Sequence, residues 1–468
     1  MSTPTLSRRM TAMDASFLYF EKPGAALHIG STSLLDGALS RDDLVQHMRS
    51  RIHRVPRYRQ RAVFDALNLA HPAWEDDPEF EVDRHIEEVV LPDGAEEADL
   101  RAAIADAFAP MLPRDRPLWK MVLIQGFPEG RTAMISLVHH CMVDGVSGVE
   151  LLQAVTDLQR DAEPGEPEPY TPFPAQDPFE RVRDAWTDAL NAAIASGADA
   201  MRRWFEPQRQ MEEMQTVGRA MMAAAPQLLQ PAPSTPFNRA VGEGRCYAVV
   251  PMSFAELRAI RSVLGGTLND VVLSILSGGL GAYLRYREQE TDGVELRAMI
   301  PVNVRSANSK EALGNQVSMM IAPLPIGLTD AVERHRAVTA RMGSLKEANQ
   351  AGGFALMSRL TESVPANLQA LAAMWTPATQ PLFNVVCTNV PGPQVPLYIV
   401  GRRLETLWPL LPLSMGLGLG VALTSYNGAL YWGLTGDPEL VPDIDETARC
   451  IERAFEELKL AAAAAGEA

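Results

Sequence analysis

Cysteine is scarce in this 468-residue chain, and the four that occur, Cys141, Cys246, Cys387 and Cys450, are scattered without paired metal-ligand spacing. That excludes a disulfide framework and fits reduced thiols in the cytoplasm. With no second cluster of His or Cys to supply ligands, no metal site is expected. A surplus of positive charge is also missing: Asp and Glu number 58 against 42 Lys and Arg, a formal net charge of -16. A general nucleic-acid surface is thereby excluded, although a local basic pocket is not. Met1 to Leu18 carries Arg8, Arg9 and Asp14 and no apolar core of signal-peptide length, so no export segment is expected there and the cytoplasm is the expected compartment.

Charge nearly disappears between Ser363 and Gly436, where Arg402, Arg403 and Glu405 are the only charged residues. The uncharged run from Thr406 to Gly436 is long enough for a membrane span. Pro409, Pro412, Gly416, Gly418, Gly420 and Gly428 break it into short pieces, which suits buried strands and turns better than one helix.

The length allows two domains, each with its own core, and the pattern alternates between strand and helix in two halves. In residues 1–165, strands are expected at Ala26–Leu35, Trp119–Gln125 and Thr132–His139, with helices after Ser40 and over Ala98–Ala109. Residues 166–240 read as a Pro-rich and helical connection. There Met201, Met211, Met214, Met221 and Met222 mix with Arg202, Arg203 and Trp204, a pattern open to two readings: a bridging helix packed on either domain, or peripheral contact with a membrane or lipid droplet. Residues 241–468 open with a strand at Cys246–Met252 and a helix near Phe254–Leu264. Thr267 and Asp270 then form an acidic variant of a capping box ahead of a helical run to Tyr283.

Chemistry concentrates in Val138-His139-His140-Cys141-Met142-Val143-Asp144-Gly145. Imidazole is the side chain best suited to take a proton at neutral pH. Strand alternation separates the two histidines: Ile135, Leu137 and His139 share one face, Ser136, Val138 and His140 the other. His140, last before the loop and on the more polar face, is the candidate base, and His139 a packed or hydrogen-bonded neighbour. The bland alternative is that both are satisfied core histidines. Asp144 before Gly145 suits a carboxylate that pins the loop, with acid/base work as the competing reading. Cys141 beside His140 raises a thiol-nucleophile reading, weakened because sequence neighbours on alternate faces rarely form a working pair.

The segment His139 to Gly145 resembles the HHxxxDG motif of the coenzyme A-dependent acyltransferase superfamily, shared by peptide-synthetase condensation domains. Asp14-Ala15-Ser16-Phe17-Leu18, Pro117-Leu118-Trp119, Asn269-Asp270-Val271-Val272-Leu273, Pro301-Val302-Asn303-Val304-Arg305, Asn389-Val390-Pro391-Gly392-Pro393 and Ser425-Tyr426-Asn427-Gly428 follow the order seen in bacterial wax ester synthase/diacylglycerol acyltransferases. Ser274, where alanine is common in that family, is a minor departure. The resemblance implies an α/β fold of two chloramphenicol-acetyltransferase-like subdomains, each a mixed sheet flanked by helices, with a tunnel between them. It implies transfer of a fatty acyl group from acyl-CoA, a co-substrate with no separate cofactor, to a fatty alcohol or diacylglycerol. The family's base falls on His140 and its structural aspartate on Asp144, with His139 and Gly145 beside them. Arg305 is the matching partner for Asp144, or a surface charge after a strand. Asn269 donates to the developing oxyanion or orders a helix start. A condensation-type enzyme using a carrier-bound thioester and a non-catalytic lipid-binding relative are the alternatives.

Overall fold

The computed structural model describes residues 9–64, 70–143, 231–303, 317–347, 382–414 and 416–467, with shorter stretches between 152 and 211 and at 368–371. The helices that the residue pattern predicts over 181–222 and 354–374 lie mostly outside the described residues.

The N-terminal half begins with helix α1 (Ala12–Phe20). Thr11 caps it by accepting the Asp14 amide at 3.1 Å, and Asp14 also complements the positive end of the helix. The helix stops at Glu21, whose N–H makes the last helical bond, to Phe17 O, before Pro23 and a positive-φ Gly24 turn the chain. There follow β1 (His28–Leu35), α2 (Arg41–Arg51), the hairpin β2 (Gln60–Val63) and β3 (Ala73–Asp76), β4 (Ile86–Val90), α3 (Glu97–Phe108), β5 (Trp119–Gln125) and β6 (Thr132–His139). The second half comprises β7 (Cys246–Ser253), α4 (Phe254–Leu264), α5 (Leu268–Tyr286), β8 (Leu296–Asn303), β9 (Val317–Leu324), α6 (Ala331–Glu347) and β10 (Val385–Pro391). It ends with two short strands, β11 (Tyr398–Ile399) and β12 (Arg402–Arg403), then β13 (Trp408–Leu410), β14 (Leu419–Tyr426), β15 (Ala429–Gly436) and α7 (Ile444–Glu467). Helix α1 and strands β2, β3 and β4 are absent from the sequence reading. The last three are four or five residues long and weakly alternating, too short for periodicity to mark.

Two mixed sheets result, ordered β13-β1-β6-β5-β4 and β7-β15-β14-β10-β8-β9. The two α/β halves expected from the sequence are therefore present. One strand departs from a division into contiguous halves: β13, from far along the chain, pairs antiparallel with β1 and closes the first sheet. The Pro409 carbonyl of that strand accepts a bond from the Tyr247 hydroxyl of β7 at 3.1 Å. It also faces Gly433 of β15 so closely that a Cβ there would collide with its oxygen. The two sheets are tied at this point.

The missing charge between residues 406 and 436 now has its cause. Every residue of β14 is buried, as are seven of the eight in β15, so a charge at these positions would be desolvated without a partner. Strands covered on both faces read as continuous apolar runs. No single helix among the described residues is long and apolar enough to cross a membrane; α4 and α5 pass only as a pair bent by 99°. Helix α5 is a core helix, buried along most of its length between α6, α7 and the second sheet.

Gly433→Ala is expected to destabilise the fold by about 1–3 kcal/mol through overpacking at the sheet junction. Gly343→Ala, in α6 with nothing within 4 Å of the added Cβ, is expected to stabilise by about 0.5–1 kcal/mol. Urea unfolding midpoints check both, and an unchanged midpoint for Gly433→Ala would show that the junction is slack.

Candidate active site

Strand β6 lies centrally in its sheet, between β1 and β5, and ends at His139. The His139 N–H donates to Leu118 O and that of His140 to Leu27 O, both at 2.9 Å. His140–Met142 then forms a single 3-10 turn. His139 Nδ1 accepts the Cys141 N–H at 3.2 Å, which assigns the proton of this imidazole to Nε2. Nε2 faces Glu21 Oε1 at 3.3 Å, and both side chains are 0% exposed. The approach is off the line of a good hydrogen bond, so the contact is electrostatic more than directional.

Glu21 is the anchor of this arrangement. Its Oε1 accepts the Leu27 N–H and its Oε2 the Arg114 guanidinium, each at 3.0 Å. Arg114 also donates to Leu18 O at 2.8 Å, fastening the last turn of α1. Burial alone would push the carboxyl pKa up, but His139, the Leu27 amide and Arg114 together hold it at about 2. Beneath lies a small apolar cluster of Met10, Ala15, Leu18, Trp74, Leu118 and Cys141. Each fully buried leucine in it stabilises by roughly 1.5–3 kcal/mol.

His140 sits in a different environment from His139. It is half-buried, with its ring stacked on Phe17 at a centroid separation of 4.0 Å and an interplanar angle of 15°. Its Nδ1 is buried. Burial lowers its pKa to about 4, with His139 adding to the shift and its own backbone opposing it, so the imidazole is neutral at pH 7. Directly across the ladder from His139, His28 is buried with Nε2 2.7 Å from Phe108 O. Burial likewise lowers its pKa to about 4. Cys141 is buried, and its surroundings, together with the charges of Asp14 and Glu21, push the thiol pKa up. A thiolate nucleophile is disfavoured there.

Asp144, Gly145 and Arg305 lie outside the described residues. Asn269 sits half-buried in the first turn of α5. The acidic capping box is present around it: Asp270 N donates to Thr267 Oγ1 at 3.2 Å, and Thr267 N to Asp270 Oδ2 at 2.7 Å. The described bonds of this turn run to α6, where His335 Nε2 lies 3.1 Å from Gly265 O and His335 Nδ1 lies 3.0 Å from Ser274 Oγ. None of them reaches His140. Glu21, Phe17, Arg114 and His28 are the site residues that the sequence reading passed over. A carboxylate closing the apolar run Phe17-Leu18-Tyr19-Phe20 was the available signal for Glu21, and Phe17 lay in the segment Asp14 to Leu18 without a role attached to it; nothing local marked Arg114 or His28.

Two outcomes are expected. Between pH 6.5 and 4 the unfolded chain protonates at His28 and His140 while the folded chain does not, so stability falls as the pH drops through this window, by about 3 kcal/mol for His28 alone. Glu21, depressed from 4.5 to about 2, extends the loss from about pH 4.5 downward, and Glu21→Gln flattens that lower limb in pH-dependent urea unfolding. Cys141→Ala keeps the acyl-transfer activity that the sequence resemblance implies within a few-fold; complete loss in a folded variant would restore the thiol reading.

A sequence model described as the wax ester synthase/diacylglycerol acyltransferase catalytic domain matches residues 10–272, and one for the C-terminal domain of the same family matches residues 313–459. The probable diacylglycerol O-acyltransferase tgs1 of Mycobacterium tuberculosis is 28% identical over 464 residues, covering 96% of this chain and 95% of the relative. A second M. tuberculosis protein with a diacylglycerol O-acyltransferase name, Rv0895, is 32% identical over 447 residues, covering 92% of this chain and 87% of the relative. Among solved structures, the wax ester synthase/diacylglycerol acyltransferase from Marinobacter aquaeolei VT8 superposes with a TM-score of 0.68 at 23% identity, covering 97% of this chain and all of that one. The first condensation domain of the calcium-dependent antibiotic synthetase has the same fold, with a TM-score of 0.60 at 17% identity over 98% of this chain and 97% of that one. With the catalytic-domain match spanning more than half of its length, the chain belongs to the wax ester synthase/diacylglycerol acyltransferase family and is an acyltransferase.

Proposed function

We propose that this acyltransferase moves a fatty acyl group from acyl-CoA to a long-chain alcohol or diacylglycerol, giving wax esters or triacylglycerol, with His140 as the general base. The observation that carries this reading is the contrast between the two imidazoles: His139 is sealed against Glu21, while His140 is half-buried and neutral at pH 7. Because Nδ1 of His140 is buried, Nε2 is the nitrogen offered to an incoming hydroxyl. It takes the alcohol proton as the oxygen attacks the thioester carbonyl. The C–O bond forms, the C–S bond breaks, and the imidazolium returns its proton to the departing CoA sulfur. No covalent enzyme intermediate is required, and acyl-CoA is a co-substrate, not a resident cofactor. The family resemblance assigns Asp144, with Gly145, to pinning the loop and Arg305 to pairing with Asp144. Asn269 contributes through the helix start it occupies, a reading supported by the capping box around it.

General acid/base catalysis supplies roughly 100- to 10,000-fold, so positioning of the acyl and alcohol chains between the two halves provides much of the rest. Peripheral contact with a membrane or lipid inclusion fits such apolar substrates. In the connection between the halves, Trp186, Leu190 and Ile194 are 60–64% exposed in helical positions four residues apart, an apolar stripe suited to an interface.

The test measures free-CoA release from palmitoyl-CoA with hexadecanol or diacylglycerol. His140→Ala is expected to lower the rate by about 100- to 10,000-fold with folding retained. His139→Ala, which strips one of the partners from the buried Glu21, is expected to cost about 1–3 kcal/mol of stability. Full activity in His140→Ala with loss in His139→Ala would reverse the assignment, activity only with a carrier-bound thioester would favour a condensation-type enzyme, and ligand binding without thioester consumption a non-catalytic relative.

A further inference from the structure

The stacked pair at the end of β6 carries more than packing. Phe17, on α1, lies face to face with His140 at 4.0 Å between centroids and 15° between planes. Among the described residues, the charged groups around the end of β6 are engaged in contacts of their own. Glu21 takes His139, the Leu27 amide and Arg114, and Asp14 is bonded to Thr11 at the start of α1. Arg57 lies with its guanidinium 4.4 Å over the Trp74 ring and bonds Gln60 at 2.8 Å. The titratable neighbour acting on His140 is His139. Among the described residues, no carboxylate is bonded to His140.

Resting on the reading of His140 as base, we infer that Phe17 is a positioning residue of the acyl-transfer reaction: its ring face fixes the imidazole plane and stabilises the imidazolium formed when the alcohol is deprotonated. An aromatic ring presents the negative face of its quadrupole to a group stacked on it. Neutral imidazole gains packing from that face, while the imidazolium gains packing and charge stabilisation. The difference appears only once the proton has moved, so it lowers the barrier without tightening substrate binding. It matters here because burial has made His140 a reluctant proton acceptor, and efficient proton transfer needs a base poised nearer to neutral pH. Helix α1 thus serves both histidines through one element, with Glu21 at its end facing His139 and Phe17, one turn earlier, lying on His140.

The experiment replaces Phe17 with 4-fluoro-, 3,5-difluoro- and 3,4,5-trifluorophenylalanine, which keep the shape of the ring while progressively emptying its face of electron density, and adds F17L and F17W. With palmitoyl-CoA and hexadecanol, kcat is expected to fall stepwise along the fluorinated series while KM stays within about 2-fold. F17L should lose about 2- to 30-fold in kcat and F17W should restore most of it. A flat kcat across the fluorinated series, with F17L impaired, would reduce Phe17 to packing and overturn the inference. H140A in the same assay separates the two claims. An inactive H140A with a flat series removes the role of Phe17 alone, whereas an active H140A removes the base assignment on which it rests.

Discussion

The buried carboxylate of Glu21 organises everything near the histidines. It joins four parts of the chain: the end of α1 to which it belongs, the turn before β1 through the Leu27 amide, the segment before β5 through Arg114, and the end of β6 through His139. Taking a carboxylate out of water is expensive, and the cost is offset only when its oxygens are all engaged. That condition leaves little freedom in the path of any of the four segments. His139 thereby becomes an internal brace, and its neighbour is carried past the end of the strand into a turn where it is half-buried. The difference between two adjacent, chemically identical side chains is set by which of them meets the carboxylate.

A second constraint acts at the scale of the whole fold. The first sheet is completed by β13, a strand encoded more than 370 residues after β1 begins, and the carbonyl of Pro409 meets Tyr247 and Gly433 of the other sheet. The order of the sheets is thus not the order of the chain. The fold shared with condensation domains follows from this paired-sheet scaffold, and a shared fold does not by itself fix the chemistry.

Much of the scaffold was legible in advance. Trp119–Gln125 and Thr132–His139 were readable to the residue, and Phe254–Leu264 closely, because long alternating or helical periods were bounded by caps and turns. The absence of charge across β14 and β15 was readable as buried strands because Pro and Gly break the uncharged run into pieces too short for one helix. The short hairpin of β2 and β3, the edge strand β4 and the nine residues of α1 carry too few periods to stand out. Of the site, the strand end and the separation of His139 from His140 could be inferred from alternation. The agents of that separation could not: Glu21 and Phe17 precede it by more than a hundred residues, and Arg114 looks like any surface arginine in Arg114-Asp115-Arg116.

What the sequence by itself determined is local: where strands and helices run, that Thr267 and Asp270 cap a helix, that an imidazole pair lies at the end of a strand, and, through its ordered motifs, the family. The tertiary structure decided which imidazole is braced and which is left available, that Cys141 is held as a thiol, and that β13 belongs to the first sheet. The physical reason is that periodicity and capping act over a few residues and are written in adjacent letters. Desolvation, ion pairing and ring stacking depend on distances in space between residues far apart in the chain, and those distances exist only once the two sheets and α1 have closed around the loop.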